Sequence, residues 1–129
     1  MSALEPQGLA RRFAQLADSK GGSEIVVLDM RGLAAYTDFL VICTARNERQ
    51  AHAIVDEVRL RLKQEHDLLP GGVEGEGAGG WIVLDYLDAV LHVFTAEARE
   101  RYRLEDLWHE APRLELGIGE QETPSAARA

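Results

Sequence analysis

Disulfide chemistry is the first thing this sequence rules out. Its 129 residues include one cysteine, Cys43, so no bond can form between two of its own thiols. Cys43 lies in the apolar run FLVICTA, where a thiol reads as a small, reduced, buried hydrophobe. As a nucleophile it would need a histidine partner that the sequence does not place beside it. No apolar stretch is long enough to span a bilayer. The opening MSALEPQGLARRF lacks the basic-then-apolar order of a secretory signal, so the expected location is cytoplasmic. Basic residues are in the minority, 14 Lys and Arg against 22 Asp and Glu, for a net charge of −8. That balance disfavours a broad phosphate-binding surface, and with it direct sequence-specific nucleic-acid contact. It favours solubility and encounter with basic proteins. Aromatic residues make up only 6%, so each one on a surface is informative.

Motifs for catalysis and metal binding are equally scarce. His52, His66, His92 and His109 show no zinc-ligand spacing, and neither a G-x-S-x-G elbow nor a G-x-x-x-x-G-K-[ST] loop occurs. No catalytic residue, metal ligand or cofactor is therefore assigned. One motif does match on paper: Gly75, Gly77 and Gly80 give G-x-G-x-x-G. A dinucleotide fingerprint must follow a strand and open a helix, because the pyrophosphate rests on the helix N-terminus. Here the run follows a helical pattern and opens a strand, and Glu74 and Glu76 would repel phosphates. It reads as a loop between elements, with VEGEG able to form a short edge strand.

What the chain does contain is a regular alternation of elements. Leu9, Phe13, Leu16 and Ala17 share one helical face, and Gly21-Gly22 stops that helix. EIVVLDM (24–30) and DFLVICTA (38–45) read as buried strands of a first hairpin. Asn47 caps a helix with Gln50 as capping-box partner; Ala51, Ile54, Val55, Val58 and Leu62 form its stripe, and it runs to about residue 65. WIVLDYLDAVLHVF (81–94) reads as two strands turning at Leu87-Asp88. Thr95 caps a last helix that continues through Leu104, Leu107 and Trp108, all assigned to structure, and Pro112 ends it. The implied architecture is an α/β (α+β) single domain, a mixed β-sheet with helices packed on it. Residues 1–8 are expected to be a flexible N-terminus, 9–112 the domain, and 113–129 a disordered tail.

The last hairpin carries the most specific signal. A turn at Leu87-Asp88 sets Asp85 opposite Val90, Val83 opposite His92 and Trp81 opposite Phe94. One face then holds Ile82, Leu84, Tyr86, Ala89, Leu91 and Val93, an apolar set for the core. The other holds Trp81, Val83, Asp85, Val90, His92 and Phe94. It is too polar for a dry interior and too apolar for an ordinary wet surface. It fits a protein contact with aromatic anchors and a polar rim. It also fits a layer covered by a helix, with His92 bonded to Asp85 inside. The acids Asp29, Asp38, Asp85 and Asp88 invite a metal or nucleotidyl-transfer reading, but turn roles for Asp85 and Asp88 are simpler. A nucleotide-binding or nucleotidyl-transfer enzyme stands as the alternative; it requires Mg²⁺-dependent nucleotide binding. A third possibility is a self-associating scaffold using the aromatic face.

At this point a family resemblance enters. W-I-V-L-D-Y-x-D-A-V-L-H-V-F followed by E-A-R-x-x-Y-x-L-E-x-L-W, residues 81–108, closely resembles the bacterial ribosomal silencing factors, the Iojap-like proteins. I-V-V-L-D (25–29), T-D-F-L-V-I (37–42), N-E-R-Q-x-x-A-I-V-D-E-V (47–58) and V-E-G-E (73–76) support it, and the match runs from about Leu9 to Pro112. Many members carry glycine where this chain has Leu87. The resemblance implies a nucleotidyltransferase-like fold without the catalytic acids, and no enzymatic activity. It implies binding to the large ribosomal subunit through its ribosomal protein numbered fourteen, which blocks joining of the small subunit and represses translation under nutrient limitation. It also implies a homodimer when free. Carried over to this chain, the contact comprises Trp81, Asp85, Tyr86, Asp88 and His92, with Phe94 beside them. Tyr86 is included by resemblance alone, since the hairpin register puts it on the core side.

Overall fold

The computed structural model describes residues 4–77 and 79–116. The expected tail therefore lies outside the described residues from 117 onward, as do residues 1–3 of the expected flexible start. α1 (Pro6–Ser19) begins inside that start, with Pro6 at its first turn, where a missing N–H costs nothing. Leu9, Phe13, Leu16 and Ala17 are buried on one face, as their spacing requires. Its end is closed by Gly21, at φ 86, and Gly22, whose N–H reaches the Ala17 carbonyl at 2.8 Å.

β1 (Ser23–Asp29) and β2 (Phe39–Ala45) form the antiparallel first pair. β2 is buried along its whole length, whereas β1 is wet at its start, where a bulge between Ser23 and Val26 coincides with Glu24 at φ 50. α2 (Glu48–His66) follows. Asn47 Oδ1 accepts the Gln50 N–H, as the capping pattern predicts, but Gln50 Oε1 takes the Arg46 N–H instead of closing the box on Asn47. β3 (Gly72–Glu74) is the short edge strand, then come β4 (Trp81–Asp85) and β5 (Ala89–Thr95). Thr95 caps α3 (Ala96–Tyr102), and Arg103, at φ 49, separates it from the single turn α4 (Leu104–Leu107).

The five strands make one mixed sheet in the order β1-β2-β5-β4-β3, with β2 and β5 parallel at the centre. α1 and α2 roof one face. The main core there includes Phe13, Val41, Ile54, Leu62 and the predicted apolar set of the last hairpin, Ile82, Leu84, Tyr86, Ala89, Leu91 and Val93. A smaller core on the opposite face joins Leu28, Leu40, Ile42, Val90 and Phe94 to Ala98 and Ala111, with Leu104 and Trp108 packed against it. Leu107 does not join them: it is 69% exposed, because α4 is one turn long and points that side chain outward. The chain past Pro112 is also better placed than a tail. Asp29 donates to the Pro112 carbonyl, Leu114 donates to that of Val27, and Arg113 bridges Leu28, so residues 112–114 cover the free edge of β1. Leu114 and Leu116 pack on the main core.

α3 is tied to the sheet by one arginine. Arg99 donates to the Glu24 carbonyl (2.5 Å), to Thr44 Oγ1 (2.9 Å) and to both carboxylate oxygens of Glu105 (3.2 and 2.6 Å). A guanidinium has enough donors in a fixed fork to serve all three. It holds Glu105 below the usual carboxylate range, mainly through the hydrogen bond.

Candidate docking face on the second sheet surface

The register of the last hairpin is the one its pattern predicts: Trp81↔Phe94, Val83↔His92 and Asp85↔Val90. The turn itself departs from a glycine-built hairpin. Leu87 sits at φ 71, and the Asp88 N–H reaches the Tyr86 carbonyl at 2.8 Å, a three-residue closure of the γ-turn kind. Asp85 Oδ1 accepts the Leu87 N–H at 2.8 Å, which fixes that carboxylate as a turn element.

Because strand side chains alternate, Trp81, Val83 and Asp85 of β4 project on the face away from α1 and α2, with Gly72 and Glu74 of β3 beside them. Trp81, Val83 and Asp85 are half-buried, and Glu74, Leu87 and Asp88 are exposed. Two tyrosines flank this strip. Tyr102 of α3 stands 4.6 Å from the Trp81 ring and is 47% exposed. Tyr36, in the β1–β2 connection at the same end of the sheet as Asp85, is 56% exposed; partial burial and then the charge of Asp85 push its phenol up. Leu33 in the same connection is also exposed.

Two of the expected contact residues are not on this surface. Phe94 is fully buried, stacked against Trp81 at 5.0 Å, because α3 starts two residues later and folds back over it with the small Ala98. Tyr86 is buried in the main core 5.4 Å from Phe13, as its register position dictates. Its hydroxyl has no partner among the described residues, and burial pushes it up to about 12. His92 is 8% exposed and lies at the floor of the face. It does not bond Asp85: Nδ1 accepts the Trp81 indole N–H at 3.0 Å instead. Burial brings this imidazole down to about 4, against the opposing pull of Asp85. Trp81, Asp85 and Asp88 thus lie along one accessible strip, with His92 beneath them.

Sequence reasoning placed Val83 on this face and missed Glu74, Tyr36 and Tyr102 as members of the strip. Tyr102 was within reach, since it lies four residues after Ala98 on the α3 face turned to the sheet. Tyr36 sits in an irregular connection where no periodicity marks it. Asp29, Asp38, Asp85 and Asp88 do fall at the same end of the sheet, but their carboxylates are separately engaged or apart. Asp29 pairs with Arg31 at 2.7 Å and is held low by that hydrogen bond. Among the described residues, no three His, Cys, Asp or Glu side chains converge to hold a metal ion. The G-x-G-x-x-G run connects β3 to β4 and opens no helix. Cys43 is fully buried and pushed up to about 12 by desolvation, which keeps it a thiol.

Fold and face together define a small single-domain α/β protein whose distinctive feature is a half-open sheet surface. Comparison with known proteins narrows this. Residues 3–129 match the family described as "Ribosomal silencing factor during starvation", a match that extends past Pro112 to the last residue. A ribosomal silencing factor of Halalkalibacterium halodurans is 34% identical over 113 residues, 88% of this chain and 96% of that protein. One from Bacillus subtilis is 33% identical over 116 residues, 90% and 98% of the two chains. A crystal structure of a Chromobacterium violaceum protein superposes with a TM-score of 0.77 at 25% identity, covering 95% of this chain and 99% of that one. The chain belongs to the ribosomal silencing factor, or Iojap-like, family.

Proposed function

We propose that this protein represses translation by occupying the large ribosomal subunit where the small subunit must approach. It docks its half-open sheet face on the ribosomal protein numbered fourteen. The observation that carries this reading is the strip Trp81, Val83, Asp85 and Asp88, bordered by Tyr36 and Tyr102 and left without a covering element among the described residues. Aromatic anchors inside a polar rim are the composition of a protein contact. The net charge of −8 suits a basic ribosomal partner. Trp81 is the anchor, and Asp85 and Asp88 meet arginines or lysines at the rim. The mechanism is steric: occupancy follows mass action, and no chemical step is needed. Between encounters the free chain is a cytoplasmic homodimer.

Co-sedimentation with isolated large subunits tests the reading. Truncating a central aromatic anchor costs roughly 2–4 kcal/mol of binding, about a thirtyfold to several-hundredfold loss. Trp81→Ala is expected to lose that much. Trp81 also packs on Phe94 and Tyr102, so Asp88→Lys serves as a second variant, at an exposed turn position with no ion pair among the described residues. It should weaken binding while melting like the parent. Both variants sedimenting like the parent would place the contact elsewhere.

A further inference from the structure

The Trp81–His92 pair contains information beyond packing. The Trp81 indole N–H meets His92 Nδ1 at 3.0 Å. An indole nitrogen only donates, so Nδ1 must be the unprotonated ring nitrogen and the proton must sit on Nε2. Desolvation keeps this imidazole neutral at physiological pH, although Asp85 opposes it. No described residue accepts the Nε2–H. Tyr86 Oη is the one fully enclosed side-chain polar atom without a partner among the described residues, so Nε2 still touches solvent. Around it stand Val83 opposite on β4, Ile42 opposite on β2, and Trp81. It is an orientationally fixed donor among apolar neighbours at the floor of the open face, with the exposed or half-buried acids Glu74, Asp85 and Asp88 on the same side.

We infer that His92 Nε2–H is a specificity-determining donor, and that the docked partner places an uncharged acceptor, a backbone carbonyl, directly on it. The partner's cations fall on Glu74, Asp85 and Asp88 at the rim. A lysine or arginine aimed at His92 would bring a donor against a donor, whereas a carbonyl completes the hydrogen bond as water leaves. Trp81 then has two roles, anchor and positioning residue, because its N–H selects the ring tautomer. This rests on the reading of the open face as the docking surface.

Two measurements test it on the full chain. Nitrogen-15 NMR of the histidine rings should find His92 as the Nε2–H tautomer, and Trp81→Phe should release it into a mixture. A dominant Nδ1–H form in the parent overturns the inference. In sedimentation with isolated large subunits, His92→Leu should bind about tenfold to a hundredfold more weakly, the usual effect of one unmet buried hydrogen bond. His92→Gln, whose amide can still donate, should recover part of the loss. His92→Leu binding as tightly as the parent overturns the inference and leaves the docking reading standing. A parent chain that does not bind large subunits removes both.

Discussion

Leu87 is the residue whose replacement separates stability from binding. It holds φ 71, and its side chain is 67% exposed. The turn around it is closed by backbone bonds, Asp88 N–H to Tyr86 O at 2.8 Å and Tyr86 N–H to Ala89 O at 3.0 Å, and by Leu87 N–H to Asp85 Oδ1. All of these survive in Leu87→Gly. A left-handed residue with a Cβ costs roughly 1–2 kcal/mol, and glycine gives back about 0.5–1 kcal/mol through its freer unfolded chain. The net expectation is a gain of about 0.5–1 kcal/mol, or roughly 2–4 °C in melting temperature for a domain of this size. Leu87→Ala keeps the Cβ and the strain, so it should melt within about 1 °C of the parent. Calorimetry on the three chains decides the matter. If the glycine and alanine variants melt together, the turn is not strained and the reasoning fails.

The same substitution has a second consequence under the proposed function. Leu87 is exposed in the β4–β5 turn, between Asp85 and Asp88 in the chain. Full burial of a leucine side chain is worth about 1.5–3 kcal/mol, and a rim position gains about half of that. Leu87→Gly should therefore bind large subunits roughly three- to tenfold more weakly while being the more stable protein. Strain kept at an exposed position is the pattern expected where a side chain serves a contact. A stabilised variant with unchanged affinity would mean that Leu87 touches nothing.

Two further perturbations probe the loop that delivers Trp81. At Gly75, φ is 87, and an added methyl group would sit 2.0 Å from the Trp81 carbonyl oxygen, while nothing lies within 4 Å of Gly77. Gly75→Ala should cost at least about 2 kcal/mol in urea unfolding and shift Trp81 fluorescence, whereas Gly77→Ala should lie within about 0.5 kcal/mol of the parent. Equal effects would show that the loop does not approach β4 closely. His52 pins the same loop: its ring nitrogens meet the carbonyls of Glu48 (2.9 Å) and Glu76 (2.8 Å), and only the doubly protonated ring can donate to both. These two hydrogen bonds, that to Glu48 first, raise it above its ordinary 6.5. The stabilisation is therefore complete below that value and is lost as pH rises through the higher folded-state value. Amide exchange across residues 75–80, corrected for intrinsic rate, should accelerate over that window in the parent and not in His52→Gln; the same profile in both would exclude the latch.

Much of this fold could be read from the sequence because its signals are periodic. The 3.6-residue spacing of Leu9, Phe13 and Leu16, and of Ala51, Ile54, Val58 and Leu62, identified the two helices under the sheet. Two-residue alternation in residues 81–94 gave both faces and the register of the hairpin. What could not be read depends on contacts between distant segments. Phe94 belongs to the half-polar face by alternation, and only the return of α3 over β5 decides that it is covered. An Asp85–His92 bond belongs only to the covered-face alternative, and each found a nearer partner, Leu87 N–H in the turn and the Trp81 indole across the strands. Arg113 and Leu114 fall in the expected tail because Pro112 ends the helical pattern, yet β1 has a free edge whose backbone groups need partners.

The half-open face follows from dimensions as well as composition. Strands lie about 4.8 Å apart and a helix is about 10 Å wide, so one helix roofs about two strands. On the main-core side α1 and α2 divide the sheet between them. On the other side α3 lies over β2 and β5, and Leu104, Trp108 and Ala111 fill the space toward β1. No described element remains for β4 and β3. A strand left bare for good would be expected to alternate apolar with fully polar residues, as solvated sheet faces do. A strand permanently covered would carry no Asp85. β4 presents Trp81, Val83 and Asp85, and that composition suits a surface that is wet in the free protein and dry when a partner docks. The covered half supports it, since Phe94 and Tyr102 hold the Trp81 ring in place before any partner arrives. Little side-chain freedom is then left to lose on docking, which is where rigid aromatic anchors gain affinity over flexible ones.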